Sequence, residues 1–410
     1  MIVMQLNMIS KSLSVEVSKF LSRFHIRPNA DGSKQGYSKA RSHIKWQGFV
    51  HLTDFFVKSY YEDGEYLRYK NKYILLASDG STYELPHEES LIAEFNTFDN
   101  GQGQSRCLGQ GVKLYDVLNH INIIAEFGAY NAGEGKGNSE QFLFEKCLDK
   151  LPQLLDKEQH NILLLGDRYY PSFYYFDELP RQGYNFLFRC SASFCHEVEA
   201  FAASGQEEAW LKIDLSKSKR KWKSSAKRIV NKPAYLQVRC IKVVLHGGGS
   251  MYLLTNLNST ELPVNQANEL YDFRWREETS YDVDKNVLEV ENFSSKTPNG
   301  VYQDYHAKIL TVNITQLLIN DAQVVLDQNQ ASKNNKHDYQ INKRVAIGLV
   351  KDELPKLLLD LEDSQSWYDR LFAKIIRRTE IKKSKKKTNK KGTRKKKHKL
   401  KYHITRRRVI

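Results

Sequence analysis

The sequence predicts an α/β fold, and three features support this prediction. Two apolar runs, KYILLASD and NILLLGD, are typical of buried strands, and each ends in an acid, Asp79 or Asp167. The segment EQFLFEKCLDKLPQLL between them has helical periodicity. Because ligand sites in α/β sheets lie at the carboxyl ends of the strands, the two acids are predicted to share one site.

Length and composition are typical of a soluble globular protein. The 410 residues, 40% apolar and 27% charged, suffice for two or three domains. No run is expected to approach the roughly 20 apolar residues that span a bilayer, and the N-terminus lacks a secretory signal, so no membrane partner is predicted. The five cysteines include no CxxC pair, and CSASFCH lacks the second half of a zinc site, which favours a reducing cytosol.

The net charge of +15 is unevenly distributed. Residues 371–410 hold 19 Lys and Arg against one acid, so the rest of the chain has slightly more acids than bases. This basic tail is predicted to be disordered and to bind phosphates with a strong salt dependence. A purely solubilising tail is the alternative.

In chain order, the periodicities predict a small helical N-terminal module, a core in two parts, a helical region and the tail. The module carries the basic residues Lys39, Arg41 and Lys45. The alternative interpretation is that it serves only as a packing subdomain. Two strands in VKLYDVLNHINIIAEFGAYN belong to the core. The predicted boundaries are 1–68 for the module, 69–188 for the first core part, 189–262 for a mainly β insertion, 263–325 for the last core part, 326–375 for the helical region and 376–410 for the tail.

The insertion contains the strand candidates FLFRCSASF, AWLKIDL, AYLQVRCIKVVL and MYLLTNL, the last two forming a hairpin. Its run KSKRKWKSSAKR interleaves Trp222 with seven Lys and Arg, which suits nucleic-acid contact and a solvated loop equally well. Two glycine-rich stretches carry no function. GEGKGNS lacks the Ser or Thr that follows GK in a phosphate loop, and HGGGS has no accompanying GxSxG.

The segment YDFRWREETSYDVDK is predicted to be one helix with a functional face. Its residues Tyr271, Arg274, Glu278 and Lys285 stand at i, i+3, i+7 and i+14, within about 60° on a helix. Glu277 points about 100° away from Glu278, so periodicity selects Glu278 as the acid of this face. A solvated face with ordinary ion pairs is the alternative.

Together these residues resemble the motifs of bacterial insertion-sequence transposases of the DDE type, specifically insertion sequence family four. The resemblance rests on SDGS around Asp79, GDRYYPS around Asp167 and the Tyr-x2-Arg-x3-Glu-x6-Lys pattern that contains Glu278. It runs from about residue 37 to 310 and includes YSKAR, LYDVLN, AYN and LLTNL. Two positions depart from the family: Tyr169, often Gly, and Tyr252, near which some members place a Trp that receives a flipped base.

The resemblance implies a ribonuclease-H-like catalytic core that cleaves double-stranded DNA at inverted repeats and joins it to a target. It implies that Asp79, Asp167 and Glu278 are catalytic and hold two Mg²⁺ ions, which Mn²⁺ can replace. It further implies a homodimer in the DNA complex and a bacterial, nucleoid-associated cytoplasmic location. The residues expected to contact DNA are Tyr271, Arg274, Lys285, Trp222 and, by stacking, Tyr252.

Two other functions compete with a transposase. One is a DDE-type nuclease that cuts DNA without strand transfer, and the other is a catalytically dead DNA-binding remnant. The presence of all three acids argues against the remnant. An assay of joining as well as cutting separates the first two.

Overall fold

The computed structural model describes residues 1–7, 12–24, 32–62, 65–99, 105–130, 139–215, 233–245, 248–331 and 337–382. Within the described residues the strands are β1 Tyr73–Glu84, β2 Thr97–Asp99, β3 Ser105–Asp116, β4 Ile121–Ala129, β5 Asn161–Gly166, β6 Asn185–Cys190, β7 Glu208–Asp214, β8 Tyr235–Leu245, β9 Gly249–Thr255, β10 Tyr339–Ile341 and β11 Thr379–Ile381.

The helices are α1 Ile2–Leu6, α2 Leu13–Arg23, α3 Lys34–Ser42, α4 Gln47–Glu62, α5 Glu89–Phe95, α6 Ser139–Lys150, α7 Phe173–Arg181, α8 His196–Ser204, α9 Val264–Asp272, α10 Trp275–Asn286, α11 Pro298–Ala331, α12 Lys343–Leu358 and α13 Ser364–Ile375. The chain divides into two compact units. One, the helical unit, comprises Met1–Gly48, Val287–Ser295 and Asn299–Ile410, and the other, the sheet unit, comprises Phe49–Asn286 and Lys296–Pro298.

The sheet unit is built on a central mixed sheet, as the predicted α/β class requires. Its strand order is β2-β3-β1-β5-β6-β9-β8-β7, and β4 pairs with the outer side of β3. Strands β1, β5 and β6 are parallel, whereas their neighbours pair antiparallel. The predicted β insertion therefore extends the same sheet through β9, β8 and β7, with β8 and β9 forming the predicted hairpin.

Both faces of the sheet are covered, which explains the continuous apolar run at the start of β1. Ile74 and Leu76 belong to a core cluster that also contains residues of α6 and α7. Leu75 and Ala77, which alternate with them, belong to a second cluster that includes residues of α9. Because side chains alternate along a strand, every second residue after Ala77 in β1 also points towards the α9 side of the sheet.

The helical unit buries one of the three basic residues named for the N-terminal module. The Arg41 side chain is almost fully buried, and its Nε donates to Gln303 Oε1 over 2.9 Å. It also pairs with Asp304 and donates to the carbonyl of Gly300. Arg41 is therefore a packing residue in this structure, whereas Lys39 and Lys45 are exposed.

Helix α11 corrects the expectation that no segment comes near a membrane-spanning composition. By length and apolarity alone it could cross a bilayer, since one 18-residue window has a mean hydropathy of 1.3. However, 56% of that window is buried, as in the core helix of a soluble protein. Polar side chains such as Thr311 and Asn313 are fully buried on this helix.

Candidate active site

Asp79 and Asp167 follow the last paired rung of two neighbouring parallel strands. Strand β1 pairs with β5 up to Ser78, whose partner is Gly166. The next residue on each strand is the predicted acid, and adjacent strands lie only about 4.8 Å apart. Asp79 differs from expectation in one respect: it does not end its strand, because β3 continues to pair with β1 as far as Glu84.

The Asp79 carboxylate is partly buried and lies among several charges. It accepts a hydrogen bond from the backbone N–H of Gly80 over 2.9 Å. Burial raises the pKa of Asp79 to about 6, the Gly80 N–H opposes this, and the charges of Asp167 and Glu278 add to it. Asp79 therefore lies close enough to both of the other predicted acids for their charges to act on its carboxylate.

The segment that carries the third acid is not the single helix that periodicity predicts. Helix α9 ends at Asp272 and α10 begins at Trp275. Between them, the N–H groups of Arg274 and Glu277 bond to carbonyls three residues earlier, those of Tyr271 and Arg274. Each step of such a 3₁₀ turn rotates by about 120° instead of about 100°, so the predicted face is not continuous.

Within this segment Arg274 and Glu278 nevertheless meet. The nearly buried guanidinium donates through Nη2 to Glu278 Oε1 over 2.7 Å, and its Nη1 lies 3.6 Å from Asp79 Oδ2. The Glu278 side chain is 41% exposed, and only its Oε1 bonds to Arg274. Arg274 thus links the acid on β1 to the acid on α10.

Glu277 faces the sheet, which sequence periodicity did not predict. Its side chain is fully buried, and neither carboxylate oxygen has a hydrogen-bond partner among the described residues. Burial and then the charge of Asp79 raise the pKa of Glu277 well above its ordinary value, while Lys113 and Arg274 oppose the shift. Glu277 therefore lies on the inner side of α10, whereas Glu278 lies on its flank.

The predicted DNA-contacting tyrosine and lysine of this segment are less accessible than expected. Tyr271 is buried in the core, and its hydroxyl has no partner in the described part of the chain. The Arg274 guanidinium carbon lies 5.7 Å from its ring centre. Lys285 is half-buried, with its ammonium nitrogen 5.2 Å from the ring centre of Tyr83.

Of the remaining two DNA-contact predictions, only Tyr252 lies among the described residues, and it is not brought to the site. Tyr252 is buried in β9, where it pairs with Cys190 and Lys242 and packs edge-on against Phe201. Because sheet and core cover its ring, this structure corrects its proposed role as a stacking platform. Trp222 lies outside the described residues.

A fourth acid, Glu140, was missed by sequence analysis. It lies in the first turn of α6, and the hydroxyl of Tyr170 donates to its Oε1 over 3.0 Å. Its carboxylate packs against Gly80, where an added Cβ would meet it at 2.4 Å. Burial raises the pKa of Glu140 to about 7, the Tyr170 hydrogen bond opposes this, and Asp79 and Asp167 add to it. An acid in a helical first turn is too common a signal to identify it.

The donor chemistry of this cluster fits a divalent metal ion, although its arrangement is incomplete. Carboxylate oxygens are the ligands that hard cations prefer, and Asp79, Glu140 and the partly exposed Glu278 supply them in this cluster. In the described ranges, no three His, Cys, Asp or Glu side chains are placed to hold one ion together. Glu278 is bonded to Arg274 instead and would have to leave it.

A separate cavity of about 600 Å³ contains none of the predicted site residues. It opens beside β8 and the start of α9, and its lining combines apolar and amide side chains with two charged ones, Glu207 and Lys242. Its lining residues are Gly205, Glu207, Lys242, Val243, Val244, Val264, Asn265 and Asn268.

Residues 76–314, which contain the whole acid cluster, match the family model described as transposase DDE domain. The chain belongs to this family. Such domains generally use divalent metal ions. Among solved structures, the chain is similar to a piggyBac transposase synaptic complex with hairpin DNA, at 10% identity and a TM-score of 0.44, over 90% of this chain and 73% of that one. That likeness is too weak to add to the assignment. No curated protein matches the chain.

Proposed function

We propose that this DDE-family chain is a DNA transposase that cleaves insertion-sequence DNA at its terminal inverted repeats and joins the ends to a target. The observation that carries the proposal is the shared register of Asp79 and Asp167 on neighbouring parallel strands. Glu278 is tied to the same place through Arg274. We assign these three acids as the catalytic and metal-binding set, two Mg²⁺ ions as the cofactor, and Mn²⁺ as a replacement.

The chemistry that this set supports is in-line displacement at a phosphodiester. When bound, two divalent ions supply an activated attacking oxygen and a stabilised leaving oxygen. Asp79, Asp167 and Glu278 would hold the ions, and the charges of the other two acids already act on the Asp79 carboxylate. No Ser, Cys or His nucleophile is required.

Arg274 has a second role in this proposal. In the DNA-free chain its guanidinium neutralises Asp79 and Glu278, at 3.6 Å and 2.7 Å. Two oxygens of a DNA phosphate can accept from the guanidinium fork at once, so Arg274 can exchange Glu278 for phosphate as DNA enters. This exchange frees Glu278 for metal binding and couples DNA recognition to assembly of the site.

Several finer features of the proposal rest on the resemblance. They are membership of insertion sequence family four, a ribonuclease-H-like core around β1, β3, β4, β5 and β6, a homodimer on double-stranded DNA and a nucleoid-associated bacterial cytoplasmic location. The mixed order of those five strands is consistent with such a core. The basic tail lies outside the described residues from residue 383 onward, and its phosphate binding stays a prediction.

The test uses the full chain and linear DNA containing the sequence that flanks its reading frame on both sides, with Mg²⁺ or Mn²⁺. Wild type should cut at short inverted repeats and join the cut ends to a plasmid. Asp79→Asn and Asp167→Asn should lose cleavage by at least about 10³-fold and keep DNA binding. Asp282→Asn, an exposed acid on α10, is the matched control and should cleave normally.

The outcomes separate the three functions. Cutting without joining would replace the transposase by a DDE-type nuclease. DNA binding without metal-dependent cutting would indicate the catalytically dead remnant. The ion pair between Arg274 and Glu278 favours this alternative, because it engages an acid that metal binding requires. Full cleavage by Asp79→Asn would refute the assigned acid set.

A further inference from the structure

We propose that Lys113 is a positioning residue of the active site, which docks helix α10, and with it Glu278, onto the strand that carries Asp79. The inference rests on the proposed function, because it takes Glu278 as a site residue. Lys113 belongs to neither the signature nor the acid motifs.

The position of Lys113 in the sheet is the first observation. In the antiparallel pairing of β1 and β3, Lys113 is the direct cross-strand partner of Asp79. Directly opposed residues project from the same face of a sheet, so both point towards the side on which α9 packs. A fully buried lysine thus stands next to the central acid of the site.

The contacts of the ammonium group are the second observation. Its Nζ forms an ion pair with Asp284 of α10, and both side chains are essentially fully buried. It also donates to Ser280 Oγ over 3.2 Å and lies 4.5 Å from the ring centre of Tyr281. Three residues on the inner side of α10, spanning just over one turn, therefore surround a single charged group.

Helix α10 is also bonded to Asp79, the cross-strand partner of Lys113. The hydroxyl of Tyr281 donates to the backbone carbonyl of Asp79 over 2.6 Å. Asp79 and Lys113 therefore hold α10 from two neighbouring strands, through its residues 280, 281 and 284. Glu278 lies two residues before Ser280, so a slide or rotation of the helix would move its carboxylate relative to Asp79.

A purely stabilising role would not require an ion pair here. Burying two charges costs desolvation energy, and well-packed apolar side chains of similar volume usually stabilise a core at least as well. An ammonium with defined acceptors fixes the axial position and rotation of a helix in a way that methyl groups do not. We therefore assign the pair to geometry, and we expect its removal to be felt at Glu278.

The experiment compares Lys113→Met with the double variant Lys113→Met/Asp284→Leu in the full chain. Urea unfolding, cleavage at saturating DNA, and binding of Mn²⁺ alone to the DNA-free protein, followed by the electron paramagnetic resonance of free Mn²⁺, are measured on each. The single variant leaves the Asp284 charge buried without its cationic partner, with only the weak hydrogen bond from the Tyr83 hydroxyl at 3.4 Å, so it should lose both stability and cleavage. The double variant should regain stability, while its cleavage stays about 10-fold or more below wild type and its Mn²⁺ affinity falls about 10-fold.

Two further variants keep the test decisive. Arg239→Met removes a buried arginine that pairs with Glu208 in the extended part of the sheet, so it should lower stability without changing Mn²⁺ affinity. Ser280→Ala/Tyr281→Phe removes two docking hydrogen bonds and leaves no unpaired charge, so it should fold and cleave about 3- to 10-fold more slowly.

The docking role would be overturned if both double variants, Lys113→Met/Asp284→Leu and Ser280→Ala/Tyr281→Phe, had the stability, cleavage rate and Mn²⁺ affinity of wild type. That result is distinguishable from failure of the proposed function. If Asp79→Asn also cleaved and bound Mn²⁺ as wild type does, the assigned acid set itself would be wrong. If only the docking variants behaved as wild type, the acid set would stand without Lys113.

Discussion

The two strand acids and the segment from α9 to α10 were predicted by the same kind of reasoning, with different success. At the strands, the apolar runs and their terminal acids led to Asp79 and Asp167, and the structure gives these two residues equivalent places in the parallel register. On the later segment, periodicity was extrapolated over 15 residues and did not anticipate the break between Asp272 and Trp275.

The difference arises from how errors accumulate along each kind of element. In a strand the side-chain direction alternates and is checked at every rung by a neighbouring strand. In a helix each residue adds its own rotation, so a short 3₁₀ turn shifts every following side chain by about 20° per step. A few such steps approach the 100° that separates Glu277 from Glu278, which is why the inward acid could not be chosen by counting.

The largest expected effect decides which of these two glutamates is essential. Glu278→Gln should lower metal-dependent cleavage by at least about 10³-fold, because the amide cannot hold a divalent ion, and should change the free energy of unfolding little at its exposed site. Glu277→Gln should lower cleavage by only about 10-fold, because the buried carboxyl favours its neutral form, which the amide resembles. Initial cleavage rates in Mg²⁺ and urea unfolding measure both.

The comparison with Asp282→Asn calibrates these effects, since this acid is exposed on the same helix. A larger cleavage loss in Glu277→Gln than in Glu278→Gln would show that the inner face of α10 supplies the third acid. The strand acids would then remain, while the signature register proposed for the helix would have to move by one residue.

The parts of the molecule that depend on local pattern were predictable from the sequence. The strands β3 to β9, the hairpin of β8 and β9, and the helix α6 were all confirmed. What could not be predicted depends on contacts between distant residues. Lys113 and Asp284 are 171 positions apart, and neither carries a local signal for a buried ion pair. Glu140 joins the acids only because Gly80 leaves room for its carboxylate.

A second prediction separates DNA binding from catalysis at the break between α9 and α10. Arg274→Ala should weaken DNA binding by about 1–3 kcal/mol, as expected for lost charge-assisted hydrogen bonds. Lys285→Ala should act in the same direction but more weakly, because an ammonium contacts phosphate as a point charge. Fluorescence anisotropy with labelled flanking DNA at several salt concentrations measures both.

The same two variants should differ in their metal binding without DNA. Loss of Arg274 frees Glu278 and removes a positive charge beside Asp79, so Arg274→Ala should bind Mn²⁺ alone more tightly than wild type. Lys285→Ala should leave this affinity nearly unchanged, since its ammonium lies beside Tyr83. Weaker Mn²⁺ binding by Arg274→Ala would contradict the exchange of Glu278 between arginine and metal.

The smallest expected effect concerns pH and tests whether the missed acid belongs with the strand acids. Burial raises the pKa of Asp79 from 3.8 to about 6 and that of Glu140 from 4.5 to about 7. Between about pH 4 and pH 7 these two groups therefore hold more protons in the folded chain than in the unfolded chain. Since stability falls with pH wherever the folded state binds more protons, the metal-free protein should lose stability as pH rises through this range.

Replacing Glu140 measures its contribution to this dependence of stability on pH. Glu140→Gln cannot titrate, so urea unfolding in EDTA at pH 5 and pH 7.5 should show a difference that is smaller than in wild type by about 1–2 kcal/mol. Tyr170→Phe should act oppositely, because the tyrosine hydrogen bond lowers the pKa of Glu140 and its loss widens the gap from the unfolded value. Adding Mn²⁺ should flatten the wild-type slope, since metal binding requires deprotonated carboxylates and so becomes stronger as pH rises. An unchanged slope in Glu140→Gln would place this acid outside the electrostatic cluster of Asp79 and Asp167.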